Sequence, residues 1–426
     1  MQNMVTIKNR TLESSFKVLY TFGLTALITA FLTIECHSQG IVSVKENRVS
    51  GRVTVFTIEG PQSTNIVVID TDEGLVVIDS ETSPVFAQAI RNRIDSVYNG
   101  KTIRYLINTH DHGDHTYGNQ VFADATIIGH DWCREEMVKN RAGAGRTGKQ
   151  ISAALPSMKA RLEKLDKNSD AAREYNKVIA YYSGIAEGLG ESFNLTPPQI
   201  TFTDQLDLYL GNLLLSLRYI GGLAHSYSDI LVFCPEEKLL VTGDLIYKDN
   251  LYFDSERIPF LGKWAEVLEV ILADKDQVQF IVPGHEGLLP LSLLEDHLKT
   301  IREKQKEFSG RESALLTFKK EYETNGLAKA VKLNRKLFSD STHYYFLHPE
   351  FDQFAYRLML DNKLSDALEL FTQFAGFFPE SYIAFDSLGE VYLRMDQKDK
   401  ARDSFKKSLA LYPDNDNAKN QLEQLK

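Results

Sequence analysis

An α/β domain followed by an α-helical repeat domain is the fold class that this sequence predicts, on three observations. Short apolar runs alternate with helix-period stretches from Gly51 to Val282. Beyond Leu291 the β signal stops, and apolar positions recur with an offset of 34 residues. Where the apolar run Ile103–Ile107 ends, the chain reads His110-Asp111-His112-Gly113-Asp114-His115, a dense set of ligating side chains at a strand end.

The chain has 426 residues, enough for two domains, and its 43% hydrophobic and 25% charged content is ordinary for a globular protein. Net charge is −10 with no block of basic residues, which excludes nucleic acid as an expected partner. At the N-terminus Lys8, Arg10 and Lys17 precede the apolar run Val18–Ile34, and small residues Cys36 and Ser38 suit cleavage before Gln39. Residues 1–38 therefore read as a signal peptide, and the protein as exported, to a periplasm or beyond. A retained anchor and a lipid on Cys36 are the alternatives, the second disfavoured by Glu35. Only Cys133 and Cys234 would remain, in separate elements, so no disulfide framework is expected.

Val53–Phe56 alternates, and Asn65–Asp70 and Leu75–Asp79 flank a Thr-Asp-Glu-Gly hairpin turn. Pro84–Tyr98 has helical spacing, Thr102–Ile107 is the strand that delivers the His cluster, and Ala125–Ile128 is the next. Residues 131–194 read as an inserted helical pair, with Tyr175, Val178, Ile179, Tyr182, Ile185 and Leu189 forming one stripe. Within it, Gly143–Gln150 imitates a phosphate loop, but Gln150 stands where Ser or Thr must hold magnesium and no buried strand precedes it. A mobile loop near the site is expected there instead. Strands return at Gln199–Phe202, Leu206–Leu210, Leu213–Ile220, Asp229–Cys234, Leu239–Thr242 and Gln279–Val282.

In the tail, Phe351, Phe354, Ala355, Leu358, Ala367, Phe371 and Pro379 align with Phe385, Leu388, Gly389, Tyr392, Ala401, Phe405 and Pro413. This pattern resembles the tetratricopeptide repeat. Two such units rarely stand alone, so helices from 292 to 347 are expected to complete the stack. The expected division is a leader at 1–38, an α/β domain at 39–291 and a helical domain at 292–426 with repeats at 348–381 and 382–415. The repeats would serve as packing, self-association or a docking groove for a protein or peptide.

Side chains alternate along an extended chain, so His110 and His112 share one side and can hold one metal ion. Asp114 and His115, on the turn that follows, can reach a second. Three more candidates each follow an apolar run and a glycine: His225 in Gly221-Gly222-Leu223-Ala224-His225, Asp244 in Thr242-Gly243-Asp244, and His285 in Pro283-Gly284-His285. Imidazole and carboxylate donors suit two divalent ions, zinc first, with iron or manganese as alternatives.

Together these residues resemble the metallo-β-lactamase superfamily over roughly residues 47–291. The resemblance implies a four-layer αββα sandwich. It also implies a first metal on His110, His112 and His225, a second on Asp114, His115 and His285, and Asp244 as a bridge. Asp79 matches the family's carboxylate that steadies the motif loop. His130, His297, His343 and His348 lack such context and read as surface or cap residues. Asp244 stands where some antibiotic-degrading branches carry Cys, which points to the glyoxalase-II, lactonase and phosphodiesterase side. The 110-residue interval from His115 to His225 is long, as the helical insert explains. The implied activity is metal-assisted hydrolysis of a small molecule, with Asp114 as the catalytic proton acceptor. Esters, thioesters and lactones are expected ahead of β-lactams, phosphoesters and sulfate esters. The rival classes are a protein-binding adaptor with a vestigial metal site and an iron enzyme of the persulfide-oxidising type. Tyr117, Tyr247 and Lys248 neighbour ligands and are candidate substrate contacts.

Overall fold

The computed structural model describes residues 30–36, 40–248, 251, 253–273 and 275–425. Most of the leader, its cleavage position before Gln39 included, lies outside the described residues. One sheet runs in sequence order through β1 (Ala30–Cys36), β2 (Gly40–Arg48), β3 (Val53–Ile58), β4 (Ile66–Thr71), β5 (Gly74–Ile78), β6 (Ile103–Ile107), β7 (Thr126–His130) and β8 (Ile200–Phe202). It is antiparallel as far as β5 and parallel from there to β8. The second sheet comprises β9 (Gln205–Leu210), β10 (Leu213–Tyr219), β11 (Ile230–Cys234), β12 (Leu239–Gly243) and β13 (Phe280–Pro283), with only β12 and β13 parallel.

Period-two alternation decides which residues meet between the sheets. Val53, Val55, Val67, Ile69, Val76 and Ile78 point inward from the first sheet, towards Leu215, Leu217, Val232 and Val241 of the second. Their neighbours Phe56, Ile66, Val68, Leu75 and Val77 point outward, into a core shared with helices. A strand buried on both faces must be apolar at every position, and β5 reads Gly-Leu-Val-Val-Ile.

The outer helices begin with α1 (Pro84–Val97), started by Pro84 and by Ser83, whose hydroxyl accepts a hydrogen bond from Val85 N. A single turn, α2 (Gly113–Thr116), carries Asp114 and His115. The insert is three helices and not a pair: α3 (Asp131–Lys139), α4 (Gly143–Leu162) and α5 (Asp170–Gly188). The glycine-rich stretch expected as a mobile loop is the start of α4. Gly148 serves packing there, since a Cβ on it would meet Leu189 O at 2.8 Å. On the second sheet lie α6 (Leu261–Ala273) and α7 (Leu291–Phe308), which share a core through Trp264, Leu268, Leu294 and Ile301. The four layers are helix, sheet, sheet, helix. Among the described residues no helix is long and apolar enough to cross a membrane.

The tail holds α8 (Ala314–Asn325), α9 (Leu327–Ser339), α10 (His348–Leu360), α11 (Leu364–Phe377), α12 (Tyr382–Arg394), α13 (Lys398–Leu411) and α14 (Asp416–Gln424). One apolar core joins α8 and α9 to the helices from α10 to α12, as Phe318, Ala330, Phe351, Phe371 and Val391 show. Small residues sit where helices touch: Ala367 and Ala401 are fully buried, and a Cβ on Gly389 would collide with Phe405. The tail is not wholly helical. A short parallel pair, β14 (Glu312–Ser313) and β15 (Tyr344–Tyr345), ties its start together.

His297 also departs from expectation, being buried inside α7 and not a surface residue. His130 caps α3 through Trp132 N as expected, yet it is buried and stacks on Tyr219 at 3.8 Å. Cys133 and Cys234 are buried and unbridged.

Candidate metal centre

Parallel strands deliver their following loops to one end of a sheet, and β5, β6 and β13 all do so here. Asp79, just past β5, receives hydrogen bonds from Thr109 N and Thr109 Oγ1, each at 2.8 Å, and from His115 Nδ1 at 2.8 Å. It thereby fixes both ends of the His-rich turn, the role that the family resemblance implied. Asn119 braces the same turn through Asn108 and Ser80.

Two groups of donor atoms converge there, each with its atoms within 4.8 Å of one another. The first is His110, His112 and His225; the second is Asp114, His115, Asp244 and His285. All seven residues singled out in the sequence are therefore brought together. His112 Nδ1 and His225 Nε2 lie 2.8 Å apart, and His115 Nε2 and His285 Nε2 lie 3.3 Å apart. Asp244 faces both groups: Oδ1 is 3.3 Å from His115 Nε2, while Oδ2 is 3.5 Å from His225 Nε2 and 3.3 Å from His285 Nε2. Asp114 Oδ2 lies 3.2 Å from His285 Nε2. Glycine permits this crowding, because a Cβ on Gly284 would sit 2.0 Å from Asp244 Oδ1.

Hydrogen bonds on the far ring nitrogens set which nitrogen faces inward. His115 Nδ1 donates to Asp79 and His285 Nδ1 to Ser63 O at 2.8 Å, leaving both Nε2 atoms free to ligate. His225 Nδ1 meets Tyr247 Oη at 2.6 Å, and that hydroxyl in turn lies 3.3 Å from Asp244 Oδ2. Tyr247 is thus engaged with two of the seven donors, which makes it a support for them before it is a substrate contact. His110 Nε2 is buried with no hydrogen-bond partner among the described residues. An orphaned imidazole nitrogen and facing lone pairs are what a cation would satisfy, so the donor set fits a pair of metal ions.

Electrostatics divides the groups. Burial, with the other imidazoles nearby, drives His110 well below its usual range and His225 down to about 3, so both present neutral nitrogens. Burial opposes charge on His115 and His285 too. The Asp114 and Asp244 carboxylates overcome it, pushing His285 up to about 10 and His115 well above its usual range. Burial alone would raise the two carboxyls, yet His115 and His285 hold them well below the carboxylate range. In the second group the carboxylates thus favour positive charge, which a metal ion would also bring.

Two supporting residues escaped sequence reasoning. Asp229, fully buried before β11, accepts from His225 N at 2.8 Å and Ser226 N at 2.7 Å and shapes the loop that carries His225. Its place ahead of an apolar run was the available signal. Glu81 is fully buried at φ +77°, with Oε1 unpartnered among the described residues. Burial, then the Asp114 carboxylate, pushes Glu81 to about 7. A Glu in a turn ordinarily reads as surface, so nothing in the sequence marked it.

The profile of the metallo-beta-lactamase superfamily matches residues 60–285, and that of the tetratricopeptide repeat matches residues 383–415. Among solved structures, a metallo-beta-lactamase from Pontibacter korlensis is 14% identical with a TM-score of 0.41, covering 61% of this chain and 99% of that one. The DIM-1 metallo-beta-lactamase is 16% identical with a TM-score of 0.41, covering 61% and 97%. No curated protein matches the chain. With the profile spanning more than half of its length, the chain belongs to the metallo-beta-lactamase superfamily and is a metal-dependent hydrolase with a tetratricopeptide repeat in its tail.

Proposed function

We propose that the protein is an exported hydrolase of esters, thioesters or lactones that works with two divalent ions, zinc foremost. The observation that carries the dinuclear reading is Asp244, whose carboxylate faces both donor groups. His110, His112 and His225 would hold one ion, and Asp114, His115 and His285 the other. When bound, such a pair supplies Lewis acidity and makes water a nucleophile near neutral pH.

The chain's own residues do the rest. Asp114 keeps one carboxylate oxygen on His285 and is about a third exposed, so its other oxygen is placed to accept the proton of the attacking water and return it to the leaving group. Asp79, Ser63 O and Tyr247 hold three imidazoles in the tautomer that ligates. Tyr227, two residues after His225, and Trp132 expose 44% and 43% of their surface with rings 6.2 Å apart, and Phe260 lies 6.3 Å from Tyr227. An aromatic rim of this kind favours an acyl or lactone substrate with an apolar body.

Zinc-loaded protein assayed with chromogenic acyl esters, thioesters, lactones, a cephalosporin and a phosphodiester tests this reading. The highest kcat/KM is expected on an acyl substrate. Turnover confined to the cephalosporin or the phosphodiester would refute the substrate class. Export rests on the basic-then-apolar leader at 1–38, and cell fractionation tests it.

A further inference from the structure

Between β12 and α6 the chain leaves the metal centre, touches the tail and returns. Ser255 lies on that excursion and is buried to 1% exposure, with every polar group taken by the tail. Its N–H donates to Glu350 Oε1 and its hydroxyl to Glu350 Oε2, each at 2.5 Å. Ser313 Oγ, which also caps α8, donates to Ser255 Oγ at 2.6 Å, and Tyr345 donates to Ser255 O at 3.4 Å. Next to it, Glu256 pairs with Lys319 at 3.6 Å.

Two residues further on, the same turn holds the metal centre. Asp254 accepts from Arg257 N at 2.7 Å and pairs with the Arg257 guanidinium. That guanidinium donates through Nε to Ala224 O and through Nη2 to His225 O, both at 2.7 Å. A planar fork bound to successive carbonyls fixes the orientation of the loop, which one point charge could not do. Among the described residues the second donor group has no such link: its His285 is anchored by Ser63 and its His115 by Asp79.

We propose that the helical tail is a working part of the metal centre, with Glu350, Ser255 and Arg257 acting in series as positioning residues for His225. This rests on reading His225 as a ligand. The tail clamps one short turn, and the turn sets where the His225 ring stands relative to His112. Undocking the tail would loosen the first donor group and leave the second intact.

The test uses the full chain, with Glu350→Ala and the milder Ser255→Ala, and Phe405→Leu as a control that weakens the tail far from the contact. Three readouts are taken: histidine ring resonances of the metal-free protein, stepwise zinc transfer to a chromogenic chelator, and kcat and KM of the zinc-loaded enzyme. In both Glu350→Ala and Ser255→Ala the His225 and His112 resonances should shift while those of His115 and His285 stay. The more weakly held zinc should leave with a dissociation constant raised about tenfold, and kcat should fall with KM unchanged. Glu350→Gln, which keeps an acceptor, should recover most of the loss, and Phe405→Leu should move none of these. Unchanged His225 resonances and zinc affinity in Glu350→Ala would overturn the proposal. Shifted His225 resonances in a protein that binds no zinc even as wild type would instead overturn the ligand reading on which it rests.

Discussion

The two donor groups sit side by side and are built differently. His110, His112 and His225 are imidazoles only, and His110 and His225 are held neutral by burial. Asp114, His115, Asp244 and His285 include two carboxylates and, without metal, take up protons to balance them. The first leans on the loop around His225 and, through Arg257, on the tail. The second leans on the strand ends of the sandwich. One group supplies neutral donors and adjustable geometry, the other supplies charge on a rigid base. Metal affinity and chemistry should therefore respond separately to changes in each.

The largest effect should come from the second group. Asp114→Asn, in metal-replete protein with an intact fold, should lower kcat by roughly 10²–10⁴-fold, since both an oriented acceptor and a charge are lost. Near-normal turnover on the best ester would contradict the role of Asp114. Stability should respond next, through Glu81. Its carboxyl is raised from 4.5 to about 7 in the folded protein. Between these values the native state binds the extra proton, so stability falls as pH rises and the full penalty is present above 7. That difference is worth about 3 kcal/mol. In the metal-free protein Glu81→Gln should recover a gain of that order at pH 8 and little at pH 4, by urea denaturation. Zinc would shrink the gain by favouring the ionised carboxylate. An equal effect at both pH values would show that Glu81 acts through packing alone.

Tyr247→Phe sharpens the contrast from the other side. It removes the hydroxyl between His225 and Asp244, and about tenfold of zinc affinity should go with it, from the first group. Loss of the more tightly held ion instead would reverse the assignment. The smallest signal is protonic. In the metal-free protein the Asp114 and Asp244 carboxylates keep protons on the imidazoles of the second group to a higher pH than usual, and loading with zinc at pH 7 should release protons, seen by calorimetry in buffers of different ionisation heat. No release would mean that the second group is not where the charge resides.

Much of this was legible in the chain. His110, His112, Asp114 and His115 announced themselves by spacing at a strand end, and His225, Asp244 and His285 by standing after an apolar run and a glycine. The four layers followed from resemblance, and β5 shows why local pattern supports them: a strand apolar at every position must be covered on both faces. What was not legible is what depends on distant partners. Gly143–Gln150 looks like a loop by composition, but it lies in α4, where Gly148 passes close to Leu189, a partner that local composition does not reveal. His297 is buried through contacts that no local pattern encodes. Glu81 and Glu350 are polar residues whose roles come from burial beside groups tens of positions away, while Asp229 serves a loop only three or four residues back. Hydrophobic periodicity says nothing of such residues.

Anomalous diffraction from crystals grown with zinc tests the central claim most directly. Two peaks about 3.5–4 Å apart are expected, one bound by His110 Nε2, His112 Nδ1 and His225 Nε2, the other by Asp114, His115 Nε2 and His285 Nε2, with Asp244 reaching both. A single peak, or zinc bound away from these seven side chains, would contradict it.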